Sequence, residues 1–195
     1  MLLSEAPPSE MGSALFSRDM ADQGYVSNLA RLWAWRPDIF DAFLKLRSLL
    51  TDKATLSMRE RAVLVCATAA KVGDSYCSLA WGTRLAVESD PATAAALLQR
   101  QTPPALNSRE RALARWAEQV VSDPNAISAQ DVDRLRDAGL SDDQIFNATV
   151  FVAFRLAFST VNDALGARPD AQLAASAPAA VRDAVKYGRA VAGRS

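Results

Sequence analysis

Apolar positions recur at helical spacing through most of the chain, and no stretch alternates as a strand would. Ile39, Phe40, Phe43, Leu44, Leu46 and Leu50 mark one face of a helix that Pro37 starts and that runs to about Leu50. A short helix over 28–35 precedes it, closed because the residue before a proline avoids the helical region. Residues 51–55 read as a polar loop. Ser57 and Glu60 then form a capping box for a helix over 58–71, and Gly73 is the left-handed residue expected past its end. Asp74 or Ser75 caps the next helix, 75–88, which places Cys77 in its first turn.

The same local signals continue downstream. Asp90-Pro91 opens a helix through Arg100, and Thr102-Pro103-Pro104 ends it. Asn107 caps a helix over 108–122. Its opening, Ser-Arg-Glu-Arg-Ala, is a weak internal echo of the Met-Arg-Glu-Arg-Ala at 58–62. Ser128 caps a short helix ending at Gly139, and Ser141 with Gln144 forms another capping box. The helix it opens, 142–163, is apolar on nearly every face, which calls for burial all round, centrally or in a subunit interface. Asn147, Arg155, Ser159 and Thr160 interrupt it and argue against a membrane span. The class is all-α, with about eight or nine helices: a mobile N-terminal arm over 1–24, one helical domain over 25–168, and an Ala-rich tail over 169–195. The arm is either free or ordered by a neighbouring subunit, and the tail carries a weak helix from Ser176-Pro178 to about Ala192.

Composition narrows the chemistry. The 195 residues suffice for one domain with a sizeable core. Lys+Arg and Asp+Glu both number 22, so no basic surface points to nucleic acid or an anionic membrane. The chain has no histidine, which removes Ser-His-Asp and Cys-His activation and any His-ligated metal. No phosphate loop or cofactor motif stands out. Two cysteines and no secretory pattern fit a reducing cytoplasm.

Leu56-Ser57-x-Arg59-Glu60-Arg61, Tyr76-Cys77, Asn107-Ser108-Arg109-Glu110-Arg111-Ala112, Asp137-Ala138-Gly139-Leu140-Ser141 and Asp163-Ala164-Leu165-Gly166 occur in one order. With Arg36-Pro37-Asp38 they resemble the alkylhydroperoxidase D-like group of the carboxymuconolactone decarboxylase family, and within it the peroxidase-related branch. The resemblance covers roughly residues 25–168. It implies an all-α homo-oligomer and antioxidant, peroxidase-type oxidoreductase chemistry through a relay of a glutamate, a Cys-x-x-Cys and a histidine. In this chain those positions are Ala62, Asp74, Cys77 and Trp81, so only the second cysteine is present.

Cys77 is therefore the candidate nucleophile, and a buried apolar filler is its alternative reading. A helix start should lower its pKa, while Asp74 opposes that. Cys66 lies four residues after Ala62 on the same face, where it is a core cysteine or a resolving thiol for Cys77. Trp81 reads as a pocket wall, and Ala62 as a gap where a carboxylate would stand, giving an apolar pocket that either takes a small hydroperoxide or apolar ligand or is simply closed. Arg155 needs a carboxylate partner or an anionic ligand, and a structural ion pair is the commoner arrangement. Trp33, Trp35 and Trp116 read as core or interface aromatics, and the Arg59/Arg61 and Arg109/Arg111 pairs as solvated helix starts. With no group in view to take the thiol proton, the expectation is a weak thiol peroxidase supplied by a thiol reductant. The alternatives are an inactive oligomeric binding or scaffold protein and, further off, a lactone decarboxylase.

Overall fold

The computed structural model describes residues 1–51 and 56–193. Residues 52–55 of the expected polar loop lie outside the described residues. The described elements are α1 (Glu10–Gln23), α2 (Asn28–Trp33), α3 (Pro37–Thr51), α4 (Met58–Val72), α5 (Ser75–Glu88), α6 (Pro91–Leu98), α7 (Ser108–Ser122), α8 (Ala129–Asp137), α9 (Asp142–Ala164), α10 (Ala171–Ser176) and α11 (Ala179–Ala184). A single 3-10 turn, Pro124–Ala126, joins α7 to α8.

Helix α4 is the axis of the molecule. Every residue from Ala62 to Ala70 is buried, and α5, α6, α7 and α9 surround it. Small side chains on α4, such as Ala62, Ala67 and Ala69, let these neighbours approach closely. The capping boxes at Ser57/Glu60, Asn107/Glu110 and Ser141/Gln144 form as expected. Gly73 ends α4 with φ +80, and Asp74 at once caps α5, so only these two residues join the helices.

The two Arg-Glu-Arg motifs pair crosswise at the start of α4 and α7. Arg59 Nε donates to Glu110 at 2.6 Å, and Arg109 pairs with Glu60. Each glutamate also accepts the N-cap N–H of its own helix. Arg59 and Arg109 are thus bound and partly buried rather than solvated, because each caps a neighbour's carboxylate. Arg109 also donates to the Gly139 carbonyl at 2.7 Å.

Four other elements differ from expectation. Residues 10–23, assigned to an arm, form α1, capped by Ser9 and seated through buried Leu15 on α2 and α3 of the same chain. Helix α9 is not buried all round: Phe146 is 67% and Val161 37% exposed, because α4, α7 and α3 cover other faces of it. By length and composition α9 passes as a membrane span, but its middle carries Arg155, and that residue is buried against the rest of the protein. The tail holds α10 and α11, and from Val185 it runs on without a helix as a strap across the α4–α5 turn. Ser75 Oγ donates to the Arg189 carbonyl at 2.7 Å, and Arg189 donates to the Asp163 carbonyl at 2.7 Å. Gly188, at φ +73, lies so close that a Cβ there would sit 2.3 Å from the Gly73 carbonyl oxygen.

Candidate active site

Cys77 is the third residue of α5, and its N–H donates to Asp74 Oδ1 at 2.9 Å. Its sulfur is met from a different helix. It faces α9, where Arg155 Nη2 lies 3.0 Å away and Ser159 Oγ 3.9 Å away, one turn further on. The guanidinium of Arg155 lies 5.5 Å from the centre of the Trp81 ring and 5.0 Å from that of Phe158. Both are favourable cation–aromatic contacts in a dry site. Arg155 is 5% exposed, and its Nε has no hydrogen-bond partner.

Among the described residues no carboxylate makes the expected pair with Arg155. Among the described residues its close polar partner is the Cys77 sulfur. Arg84 adds a second cation, 5.1 Å from the Trp81 ring centre. Arg47, exposed on α3, lines the same place, and burial of its inner part with the charges of Arg155, Arg84 and Arg61 draws its pKa below the ordinary guanidinium value.

These groups border a cavity of about 120 Å³, with Leu29, Phe40, Phe43, Trp81 and Phe158 as apolar walls and Cys77, Arg47 and Arg155 as polar ones. Larger clefts of about 480 and 660 Å³ lie elsewhere, and neither reaches Cys77. The aromatic walls are fixed by stacking. Trp33 and Phe158 lie 5.4 Å apart and nearly parallel, Phe43 lies 5.0 Å from Phe158, and Trp33 Nε1 donates to buried Asn162 at 2.9 Å. Tyr76 also borders the cavity, its hydroxyl donating to Asp170.

Electrostatics reverse the expected sign at the thiol. Burial, the largest cause, pushes the Cys77 pKa up to about 12; Arg155 and Ser159 oppose this, and Asp74 adds to it by charge and hydrogen bonding. A helix start lowers a thiol pKa only where the sulfur shares its N–H groups, and here Asp74 has taken the one at Cys77. Asp74 is itself fully buried, and its Oδ2 has no partner.

The remaining predicted positions separate. Trp81 lines the cavity as a wall. Ala62 and Cys66 are fully buried in the core and do not line it, so no gap opens at Ala62. Burial first, then the neighbouring Cys77, raises the Cys66 pKa, and both cysteines are free thiols. Trp116 is buried with its Nε1 on Thr149, whereas Trp35 is 40% exposed and donates to the Ser4 carbonyl. Arg155 as partner of Cys77 was not foreseen. The available signal was a lone charge in the middle of an apolar helix.

A buried thiol at the start of one core helix, met by an arginine from another, sits on an all-α fold similar to that of alkylhydroperoxidase D-like proteins. No protein-family model and no curated protein sequence matches the chain. Solved structures do. The alkylhydroperoxidase core of an uncharacterized peroxidase-related protein from Ralstonia eutropha JMP134 is 26% identical with a TM-score of 0.74, over 87% of this chain and 94% of that one. An uncharacterized peroxidase-related protein from Silicibacter sp. TM1040 is 21% identical with a TM-score of 0.76, over 89% and 91%. The debrominase Bmp8 shares the fold at 16% identity and a TM-score of 0.71, over 91% and 92%. The chain thus stands with the alkylhydroperoxidase D-like, peroxidase-related proteins in fold, and that fold hosts more than one activity.

Proposed function

We propose that the protein is a slow thiol-dependent oxidoreductase of the peroxidase-related kind, reducing small organic hydroperoxides through Cys77. The observation that carries this is the 3.0 Å contact from Arg155 to the sulfur of cavity-lining Cys77, with no carboxylate among the described residues competing for the guanidinium. Such a donor favours the thiolate and the alkoxide that leaves. Cys77 Sγ attacks one hydroperoxide oxygen, the O–O bond breaks, and sulfur is oxidised to sulfenic acid while the hydroperoxide becomes an alcohol. Asp74, buried beside Cys77 with one oxygen unpartnered, takes the thiol proton and returns it to the leaving alkoxide. A thiol reductant then condenses with the sulfenic acid, releasing water and forming a mixed disulfide that a second thiol reduces to free Cys77; Cys66, the other cysteine of the chain, is the internal candidate for the first of these thiols.

With a pKa near 12, little Cys77 is ionised at neutral pH, so turnover falls well below that of a protein carrying the full glutamate, cysteine and histidine relay. The test is mass spectrometry after graded tert-butyl hydroperoxide with a sulfenic-acid trap. The adduct should fall on Cys77, vanish in Cys77→Ser and persist in Cys66→Ser. A Cys77 that stays reduced at every dose would sink the oxidoreductase reading and leave the second one, a binding protein, which the raised thiol pKa and near-complete burial favour. The exposed stripe of α9 around Phe146 and Val161 supports self-association, and light scattering that returns a single-chain mass would count against it.

A further inference from the structure

We infer that the cavity beside Cys77 is a binding site for a small organic anion, a single-ring carboxylate, held by Arg155 and Arg47. This deepens the reading of the Cys77 centre by naming what sits against it, yet it stands or fails without any thiol chemistry.

A buried guanidinium needs acceptors for its five N–H groups. Arg155 is 5% exposed, gives Nη2 to a sulfur and leaves Nε with none, so a built-in donor is unused. A sulfur that stays protonated is a poor acceptor and carries no charge to balance the cation. Around the cavity, Arg47 and Arg155 are lining residues, Arg84 stands behind Trp81, and among the described residues no Asp or Glu borders it. A cavity bordered by two guanidinium groups attracts an anion, and a carboxylate fits a guanidinium through two parallel hydrogen bonds. The other walls are rings and aliphatic side chains, which select an apolar body.

Size sets the class. A cavity of about 150 Å³ holds a benzene molecule, and this one is about 120 Å³. Its border includes the exposed Arg47, so part of a ligand reaches the surface. The enclosed part is smaller than a benzene-sized cavity, so it takes a single ring only with the carboxylate end projecting past Arg47 toward the surface, and a fused pair of rings overfills it. The parallel Trp33–Phe158 stack and the Phe43 ring against it keep these walls from swelling.

Benzoate is the probe, followed by calorimetry and by the slowing of Cys77 alkylation. Benzoate should bind and protect Cys77, while benzyl alcohol, its neutral isostere, and 2-naphthoate should do neither. Arg47→Gln, at an exposed position, should weaken benzoate about 10-fold, and Arg155→Met about 100-fold. Calorimetry on the reduced protein needs no peroxide and no sulfenic acid, so benzoate binding there separates this site from the redox reading. No benzoate binding at 10 mM, equal binding of benzyl alcohol, or affinity unchanged in Arg47→Gln would each overturn the assignment. If Arg155→Met fails to fold, the Arg47 variant and the alcohol comparison still decide.

Discussion

Replacing Arg155 by methionine tests the centre directly. The guanidinium and the sulfur are 3.0 Å apart at their nearest atoms, so a thiolate would sit about 4 Å from the positive charge. At an effective dielectric near 20 that attraction is about 4 kcal/mol, or about 3 pH units on the thiol. Arg155 therefore holds the Cys77 pKa down against burial, and its removal should carry that pKa beyond its present value of about 12. Read as the alkylation rate of Cys77 at pH 8.5 in a Cys66→Ser background, Arg155→Met should be slower by at least about 100-fold. Arg155→Lys should fall between, since it keeps the charge without the planar fork. Stability should move the other way or not at all. Methionine removes a buried cation whose Nε has no partner, and such a change is often neutral or stabilising. An unchanged alkylation rate would refute the electrostatic role. A loss of more than about 3 kcal/mol in urea unfolding would show instead that Arg155 holds α9 against α5.

Three further outcomes follow from other parts of the fold. Arg59 and Glu110 join two capping motifs, and Glu110 is 3% exposed, so a double-mutant cycle with Arg59→Met and Glu110→Gln should return a coupling of about 1–3 kcal/mol; a value under about 0.3 would mean the pair is decorative. Burial first, and then the Asp74 charge, raise the Asp163 pKa to about 6. The folded state then holds that proton more tightly, so its contribution is complete below about pH 4 and is lost as pH rises through 6. Asp163→Asn should remove that fall, worth under about 1 kcal/mol for a half-exposed group, and thermal melts at pH 4.5 and 7 that shift alike in both proteins would refute it. Gly188→Ala should cost about 1–3 kcal/mol, because φ is +73 and the new methyl meets the Gly73 carbonyl; an unchanged melting temperature would mean the strap does not bear on the α4–α5 turn.

What could be read along the chain was what is local. Ser57/Glu60, Asn107/Glu110 and Ser141/Gln144 announce helix starts because each cap closes within three residues. The turn that presents Cys77 is equally local, since Gly73 and Asp74 act on their immediate neighbours. The centre itself is not local. Arg155 lies 78 residues from Cys77, and Arg47 comes from a third helix, so no spacing rule connects them. The sign of the Cys77 pKa was hidden for a related reason: a first-turn position says where the backbone N–H groups are, but not that Asp74 has taken one or that α9 has excluded the water.

Trp81 and Arg155 explain each other. An indole four residues after Cys77 cannot carry a proton, and taken alone it reads as the loss of a working group. In the fold it offers a ring to a cation that has no carboxylate, and Phe158 offers a second. The resemblance implies a relay along α4 and α5; here the charge beside the sulfur comes instead from α9, lined by aromatic rings and facing a cavity. A centre of that form stabilises negative charge better than it moves protons. Its chemistry should therefore depend on the charge of what enters as well as on the pH that sets how much of the Cys77 thiol is ionised.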